Sequence, residues 1–222
     1  MTRKSVGILT IGQSPREDVT PSIRALLGDS IDIIEAGGLD RLGDDKIKSV
    51  CPDDQEITYI SKLRNGKSVK IGKSKLLPLL QDELTKLEEK VTVVIMLCTG
   101  DFPTIQSKKP LIYPDKILNH TVQAILKKGK LGVIVPLEEQ RNTLTKKWGN
   151  PNLELFVEVA SPYEDSDVKG AGQRLKSQGA ELIVLDCMGY SETHKKDAME
   201  GSNLPVLLPR TLTARITAEY VQ

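Results

Sequence analysis

The sequence predicts an α/β protein, because short apolar runs alternate with longer segments of helical spacing along the chain. The apolar runs are rich in Val, Ile and Leu, which is typical of buried parallel strands joined by crossover helices. The alternation starts again after residue 130, so that each half has its own opening strand. The sequence therefore predicts two related βα halves, although their residue identity is too low to make a sequence repeat.

The predicted elements follow in chain order. Strands are expected at 5–11, 31–36, 91–98, 131–136, 153–160, 182–187 and 206–208. Helices are expected near 15–27, 73–89, 115–128, 138–148, 164–178, 191–200 and 211–221. The last helix carries apolar residues on one side and is expected to pack back on the first half. The domains are thus predicted as 1–117 with 210–222, and 118–209.

One segment, residues 57–71, interrupts the alternation. Asn65 and Gly66 lie there between two β-prone arms, and Asn-Gly supplies the positive φ angles that a two-residue hairpin turn requires. We interpret the segment as an antiparallel hairpin inserted in the first domain. Such a hairpin would cover a sheet edge or contact a second subunit, which makes a homodimer one of the predicted assemblies.

Composition excludes several classes of protein. The 222 residues are enough to bury a core, and 31 Lys and Arg balance 30 Asp and Glu, so no net field favours nucleic acid or an anionic membrane. No apolar run approaches the roughly 20 residues needed to cross a bilayer, and the first residues lack a secretory cleavage pattern. The three widely spaced cysteines argue against a disulfide framework and a zinc site. We expect a cytoplasmic protein without a metal.

The loop after the first strand is a predicted ligand loop, because open parallel sheets bind ligands beyond the carboxyl ends of their strands. Gly12 permits a close backbone approach, and Gln13 and Arg16 are predicted to contact a carboxylate or phosphate. A Ser-Pro-Arg-Glu capping box begins at Ser14, so a well-capped helix start is the alternative interpretation. Residues 161–164 repeat this design with tyrosine in place of arginine, which favours a structural role there.

Cys98 ends the most continuous apolar strand of the chain. Thr99 and Gly100 follow it with a hydroxyl and backbone amides, and such hydrogen-bond donors favour the thiolate form of a cysteine. Asp101 acts against this by adding a negative charge nearby. The segment is therefore a candidate catalytic loop.

Cys187 ends the strand predicted at 182–187 and is followed by Met188 and Gly189. A single cysteine at such a position is usually a small buried apolar residue. Two cysteines at equivalent positions of two similar halves favour catalysis instead, with Cys98 and Cys187 facing one cleft. A cysteine hydrolase that pairs Cys187 with His194 remains a lower-ranked alternative.

The chain resembles the AroM family, within the aspartate/glutamate racemase superfamily, over nearly its whole length. The segments that carry the resemblance are ILTIGQSPR, MLCTG, LGVIVPLEEQ, LDCMGY and LPVLLPRTLTAR. The resemblance implies two pseudo-symmetric flavodoxin-like domains, each with a mainly parallel sheet, and a small carboxylate bound in the cleft between them. It also implies chemistry without a cofactor, in which one thiolate removes the proton α to a carboxylate and the opposite thiol delivers another.

Carried onto this chain, the resemblance makes Cys98 and Cys187 catalytic. The predicted substrate-binding residues are Gly12, Gln13, Ser14, Arg16, Thr99, Gly100, Met188 and Gly189. Racemases of the group follow their cysteines with Asn-Thr and Thr-His, whereas this chain has Thr-Gly and Met-Gly. A non-catalytic small-anion binding or regulatory protein is therefore the main alternative to an enzyme.

Overall fold

The computed structural model describes residues 4–222 and divides the chain into two compact units. The first unit spans the described residues up to Asp115 together with Thr213–Gln222, and the second spans Lys116–Leu212. These boundaries fall in the helices Pro114–Ile125 and Pro209–Val221, as do the predicted ones. The first three residues of the predicted first domain lie outside the described part of the chain.

A four-stranded parallel sheet forms the first unit, in the order β2-β1-β5-β6. Its elements are β1 Ser5–Thr10, α1 Thr20–Leu27, β2 Asp32–Gly37, a 3₁₀ turn Ile47–Val50, β3 Thr58–Lys62, β4 Ser68–Gly72, α2 Lys73–Glu88, β5 Val93–Leu97 and β6 Leu111–Ile112. The short β6 was not expected from the sequence. Its two residues are too few to show a periodic pattern.

The second unit also contains a four-stranded parallel sheet, in the order β10-β9-β7-β8. Its elements are α3 Pro114–Ile125, β7 Gly129–Val135, a 3₁₀ turn Glu138–Thr143, α4 Leu144–Trp148, β8 Leu153–Val159, α5 Val168–Ser177, β9 Leu182–Leu185, α6 Glu192–Ser202, β10 Val206–Leu207 and α7 Pro209–Val221. In both units the first strand lies between the second and third strands of its sheet, and the fourth lies outside the third. The two sheets therefore share one topology, and the predicted α/β fold with two similar halves is confirmed.

Helix α2 covers one face of the first sheet because its leucines repeat at helical spacing. Leu76, Leu80, Leu84 and Leu87 are all buried, and they pack in one cluster with strand residues such as Met96. Each buried leucine contributes about 1.5–3 kcal/mol relative to an exposed one. Helix α2 therefore packs on the sheet that contains β1 and β5.

The second sheet is apolar on both faces, as expected for parallel strands between helices. In β9, Leu182 and Val184 belong to the cluster that includes Trp148, and Ile183 and Leu185 belong to the opposite cluster. This alternation follows the two-residue period of a strand. Within residues 4–222, no helix has the length and apolar character needed to cross a membrane.

The inserted hairpin is present as β3 and β4, but its predicted two-residue turn is wrong. Only Gly66 has a positive φ, at 80°, and its N–H donates to the carbonyl of Leu63. This is a type I turn closed by a glycine bulge, which a sequence containing Asn-Gly also permits. The hairpin packs on its own unit, where the Gln13 N–H donates to the Lys62 carbonyl at 3.1 Å.

Two predicted helix starts are also wrong. Helix α1 begins at Thr20 rather than at residue 15, because the Ser14 N–H and hydroxyl both donate to Asp40 and cap no helix. Helix α5 begins at Val168, where the Asp167 side chain accepts the N–H of Gly170 at 2.7 Å. Both Ser-Pro segments therefore form longer loops beyond their strands than the sequence pattern indicates.

Candidate functional site

Two of the three cysteines lie at the carboxyl end of the third strand of their sheets. Cys98 follows β5 directly, and Cys187 lies two residues beyond β9. Both side chains are half-buried, whereas Cys51 is exposed. The topology of each unit thus places one thiol at the sheet edge where ligands of parallel sheets bind.

Each of these thiols is held by the same backbone turn. The Cys98 N–H donates to the Met96 carbonyl at 2.8 Å, and the Gly100 N–H donates to Cys98 Sγ at 3.3 Å. In the second unit the corresponding hydrogen bonds measure 3.0 Å, from Cys187 to Leu185, and 3.4 Å, from Gly189 to Cys187 Sγ. We call this repeated arrangement the Cys-x-Gly turn. A backbone N–H directed at sulfur stabilises a thiolate relative to a thiol.

The glycine of each Cys-x-Gly turn makes room for a tyrosine ring. A Cβ at Gly100 would lie 2.5 Å from Cε1 of Tyr59, and a Cβ at Gly189 would lie 2.5 Å from the hydroxyl oxygen of Tyr163. Tyr59 comes from β3 of the hairpin, and Tyr163 comes from the loop between β8 and α5. The sequence pattern does not indicate Tyr59, and it predicts a structural role for Tyr163.

The two tyrosines differ in what their hydroxyl groups contact. The Tyr163 hydroxyl lies 3.8 Å from Cys187 Sγ, within hydrogen-bond range for sulfur. The Tyr59 hydroxyl instead donates to the Asp101 carbonyl at 3.2 Å. Burial raises the pKa of Tyr59 well above its usual value, and the charges of Cys98 and Asp101 raise it further. Tyr59 therefore remains a neutral hydrogen-bond donor.

A buried arginine supports the turn of Cys187. Arg210, at the start of α7, is only 4% exposed. Its guanidinium donates to the Met188 carbonyl at 3.2 Å and to the Gly189 carbonyl at 2.8 Å. The segment LPRTLTAR contains Arg210, but nothing in that segment marks it as a partner of the turn.

The acidic neighbour of Cys187 is neutralised by its own partners. Asp186 has a side chain that is 2% exposed, and it pairs with Lys147 Nζ at 2.5 Å. Its other carboxylate oxygen accepts the indole N–H of Trp148 at 2.9 Å. Both partners lie in α4, so the ion pair also ties that helix to the end of β9.

Tyr190 and His194 stand behind the Cys187 turn. The Tyr190 hydroxyl donates to the Ala160 carbonyl at 2.6 Å, and burial raises its pKa, with the charges of Cys187 and Asp186 adding to the effect. His194 Nδ1 accepts the N–H of Ser191 at 2.9 Å, so this histidine caps α6. The hydrolase alternative needs this imidazole as a base, but the cap already occupies its Nδ1 lone pair.

The predicted ligand loop after β1 is largely committed to internal contacts. Gln13 Nε2 donates to the carbonyls of Leu39 and Leu42, and its Oε1 accepts the N–H of Arg64. A Cβ at Gly12 would overlap the Lys62 carbonyl oxygen, so this glycine makes room for the hairpin. Ligand contacts of Gly12 and Gln13 remain predictions.

Arg16 is buried, with 2% of its surface exposed. Its guanidinium forms a two-pronged pair with Asp18 at 2.8 Å and donates to the hydroxyls of Thr10 and Ser61 at 3.0 and 3.1 Å. Burial raises the pKa of Asp18, but the hydrogen bond and charge of Arg16 outweigh it, so the pKa is lowered overall. An anion would have to displace Asp18 to reach Arg16.

Ser14 is likewise bonded to Asp40, which also accepts the Gly37 N–H and an N–H of Arg64. Thr99 and Met188 are buried, with 7% and 2% of their surfaces exposed. Their substrate contacts, and that of Ser14, stay predictions. Among the described residues, no group of three or more His, Cys, Asp and Glu side chains is arranged to hold a metal ion.

The chain is similar to one protein family in sequence and to several solved enzymes in fold. Residues 6–221 match the family model described as AroM protein. A glutamate racemase from Bacillus anthracis is 16% identical, with a TM-score of 0.62, over 100% of this chain and 83% of that chain. The aspartate racemase of Picrophilus torridus is 12% identical, with a TM-score of 0.58, over 98% of this chain and 94% of that chain.

An unliganded arylmalonate decarboxylase is 10% identical, with a TM-score of 0.63, over 98% of this chain and 92% of that chain. At these identities the likeness shows the fold alone. The search of the curated proteins found no match. The predicted racemase-type fold is therefore confirmed.

Proposed function

The chain belongs to the AroM family, and we propose that it is an enzyme acting on a small carboxylic acid through one or both of the thiols of Cys98 and Cys187, without a cofactor. The reaction type is proton transfer at the carbon next to the carboxylate. Racemisation, isomerisation and decarboxylation all pass through the same carbanion-like state at that carbon. The racemases and the decarboxylase that share this fold support the proposal at the level of the fold.

The single observation that carries the proposal is the duplicated Cys-x-Gly turn. The two units differ in sequence but have the same strand order. In each unit a half-buried cysteine follows the third strand of the sheet and accepts the N–H of the glycine two residues later. A cysteine that only fills a core has no need for an N–H directed at its sulfur. Thiols placed in this way are suited to act as proton donor and acceptor near neutral pH.

The substrate contacts in this proposal come from the Cys-x-Gly turns. Thr99 and Gly100 flank the first thiol, and Met188 and Gly189 flank the second. The contacts predicted for Gly12, Gln13, Ser14 and Arg16 stay part of the proposal, although their polar side chains are also bonded within the first unit. A carboxylate suits a site of this kind when hydrogen-bond donors stabilise the negative charge that develops on it.

Proton exchange with solvent tests the proposal directly. The protein is incubated in deuterated water with a panel of α-amino, α-hydroxy and α-substituted malonic acids, and α-deuterium is followed by NMR. We expect exchange or decarboxylation with at least one class, and we expect Cys187→Ser to abolish it. Cys51→Ser is the matched control, since that thiol is exposed and far from either turn in sequence. Turnover that persists in a Cys98→Ser, Cys187→Ser double variant would refute the thiol mechanism.

One observation favours a second candidate, a non-catalytic small-anion binding protein. The first thiol is followed closely by Asp101, whose charge opposes a thiolate. Carboxylates that slow the alkylation of Cys187 in a saturable manner, without any exchange or turnover, would support this candidate. Protection accompanied by exchange would support the enzyme.

A further inference from the structure

The two Cys-x-Gly turns share their backbone but differ in the charges and donors around them. The hydrogen bonds from glycine to sulfur are nearly equal, at 3.3 and 3.4 Å, and both thiols are half-buried. Backbone geometry and burial therefore give neither thiol an advantage. Any difference in thiolate stability must come from neighbouring side chains.

Around Cys187, these side chains favour negative charge. Arg210 holds a buried cation on the carbonyls of the two residues that follow the cysteine, and the Tyr163 hydroxyl lies 3.8 Å from the sulfur. A buried cation stabilises a thiolate, and so does a hydroxyl that can donate to the sulfur once the thiol has lost its proton. The negative charge of Asp186 is offset by Lys147 and by the indole N–H of Trp148.

Tyr190 and His194, which also lie near this turn, do not reverse the balance. Tyr190 stays protonated, because burial raises its pKa well above the usual value. Burial lowers the pKa of His194; the charge of Asp197 opposes this, and the charge of Arg210 lowers it further. His194 is therefore largely neutral near pH 7, and Arg210 supplies the local positive charge.

Around Cys98 the neighbours have the opposite effect. Asp101 lies three residues away and is exposed, and the hydroxyl proton of Tyr59 is directed to the Asp101 carbonyl rather than to sulfur. The exposed charge of Asp101 and the direction of the Tyr59 hydroxyl therefore support a thiolate less than Arg210 and Tyr163 do at Cys187.

We propose that Cys187 rests as the thiolate and Cys98 as the thiol, with Tyr163 and Arg210 as the residues that position and stabilise the Cys187 thiolate. The catalytic meaning of this assignment rests on the proposed function. The Cys187 thiolate accepts the α proton, and the electron pair of the broken C–H bond stays on the substrate. The Cys98 thiol then donates its proton to that carbon. Cys187 finally releases a proton to water and Cys98 takes one up from water, which restores the starting thiolate and thiol.

Alkylation of single-cysteine variants tests the proposal without any substrate. The three variants retain Cys187, Cys98 or Cys51 alone, and each is labelled with iodoacetamide, an uncharged reagent, from about pH 5 to about pH 10. We expect the midpoint of the Cys187 profile to lie at least about one pH unit below that of Cys98, which corresponds to about tenfold faster labelling near neutral pH. Exposed Cys51 provides the ordinary reference thiol.

Tyr163→Phe is the decisive second variant, because it keeps the ring against Gly189 and removes only the hydroxyl. We expect it to move the Cys187 midpoint upward and to slow labelling near neutral pH by about threefold or more. Tyr220→Phe is the matched control, since Tyr220 is exposed on α7, and we expect no shift. Arg210→Gln should shift the midpoint in the same direction as Tyr163→Phe.

The outcomes separate this proposal from the proposed function. A Cys98 midpoint at or below that of Cys187 would overturn the assignment, as would a Tyr163→Phe variant that folds normally and leaves the Cys187 profile unchanged. If Arg210→Gln fails to fold by circular dichroism, Tyr163→Phe still decides the question. A reactive Cys187 without any turnover of carboxylates would leave the assignment standing and remove the enzymatic proposal.

Discussion

The Cys98 and Cys187 turns have the same backbone hydrogen bonds but different charged and hydrogen-bonding side chains around the sulfur. Both follow the third strand of a parallel sheet, both place a glycine N–H on the sulfur, and both pack a tyrosine on that glycine. The second turn has a buried arginine on its carbonyls and the Tyr163 hydroxyl 3.8 Å from its sulfur, whereas the Tyr59 hydroxyl at the first turn donates to the Asp101 carbonyl. Topology thus places the two thiols alike, and a few side chains decide which proton state each thiol prefers.

The largest expected effect comes from the cysteines themselves. In the proposed mechanism Cys187→Ser removes the base and should lower deuterium exchange by about 100-fold or more. Cys98→Ser should retain exchange, because the Cys187 thiolate can return a deuteron to the same face, but it should abolish inversion of configuration. Chiral chromatography and NMR of the recovered substrate distinguish the two results. Equal loss of exchange in both variants would contradict the assigned roles.

The glycines of the two turns give the next largest effect. Gly189→Ala and Gly100→Ala each force a methyl group against a tyrosine, so each should lower the free energy of unfolding by about 1–3 kcal/mol. Only Gly189→Ala should also slow Cys187 labelling, because it displaces the Tyr163 hydroxyl. Gly43→Ala is the matched control, since its Cβ would meet only the flexible Asp45 carboxylate. Denaturant unfolding and labelling rates provide the two measurements.

His194 gives the second turn an expected sensitivity to acid. Its pKa is lowered in the folded state, so the unfolded chain takes up the proton first as the pH falls below about 6.5. The stability that neutral His194 contributes is present above that pH and is lost as the pH falls toward its folded pKa. We expect His194→Gln to lower the unfolding free energy at pH 7 by about 1 kcal/mol and to flatten the decline of Tm on acidification. His120→Gln, on the exposed side of α3, should leave the slope unchanged.

The smallest effect is expected from Asp101. Removing its charge in Asp101→Asn should speed Cys98 labelling near neutral pH by about twofold to threefold, because an exposed charge acts through solvent. Asp44→Asn changes an exposed carboxylate in a different loop and serves as the control. A larger increase, bringing Cys98 level with Cys187, would show that Asp101 alone accounts for the difference between the turns.

The sequence predicted the longer strands, their parallel arrangement and the position of Cys98 and Cys187 at strand ends, because these depend on local apolar periodicity. It failed where long-range contacts decide the structure. Ser14 has the pattern of a helix cap, yet its hydrogen bonds go to Asp40, which follows the neighbouring strand. Arg16 also donates to Ser61 of the hairpin, 45 residues later in the chain, a contact that the sequence pattern does not indicate.

The partners of the thiols were missed for the same reason. Tyr59 reaches the Cys98 turn from a hairpin 39 residues earlier in the chain, as Arg210 reaches Met188 from 22 residues later. One usable signal was present, since a glycine two residues after each cysteine indicates close approach of another group. That signal does not identify the approaching side chain.

Direct titration of the thiolates tests the central claim that the two turns hold thiols of different proton state. The rise in ultraviolet absorbance on thiolate formation is followed against pH in the Cys51→Ser protein and in its Cys98→Ser and Cys187→Ser derivatives. We expect two steps in the parent, with the lower-pH step retained in the Cys98→Ser derivative and absent from the Cys187→Ser derivative. A lower-pH step that survives Cys187→Ser would contradict the account, because it would assign the stable thiolate to the first turn.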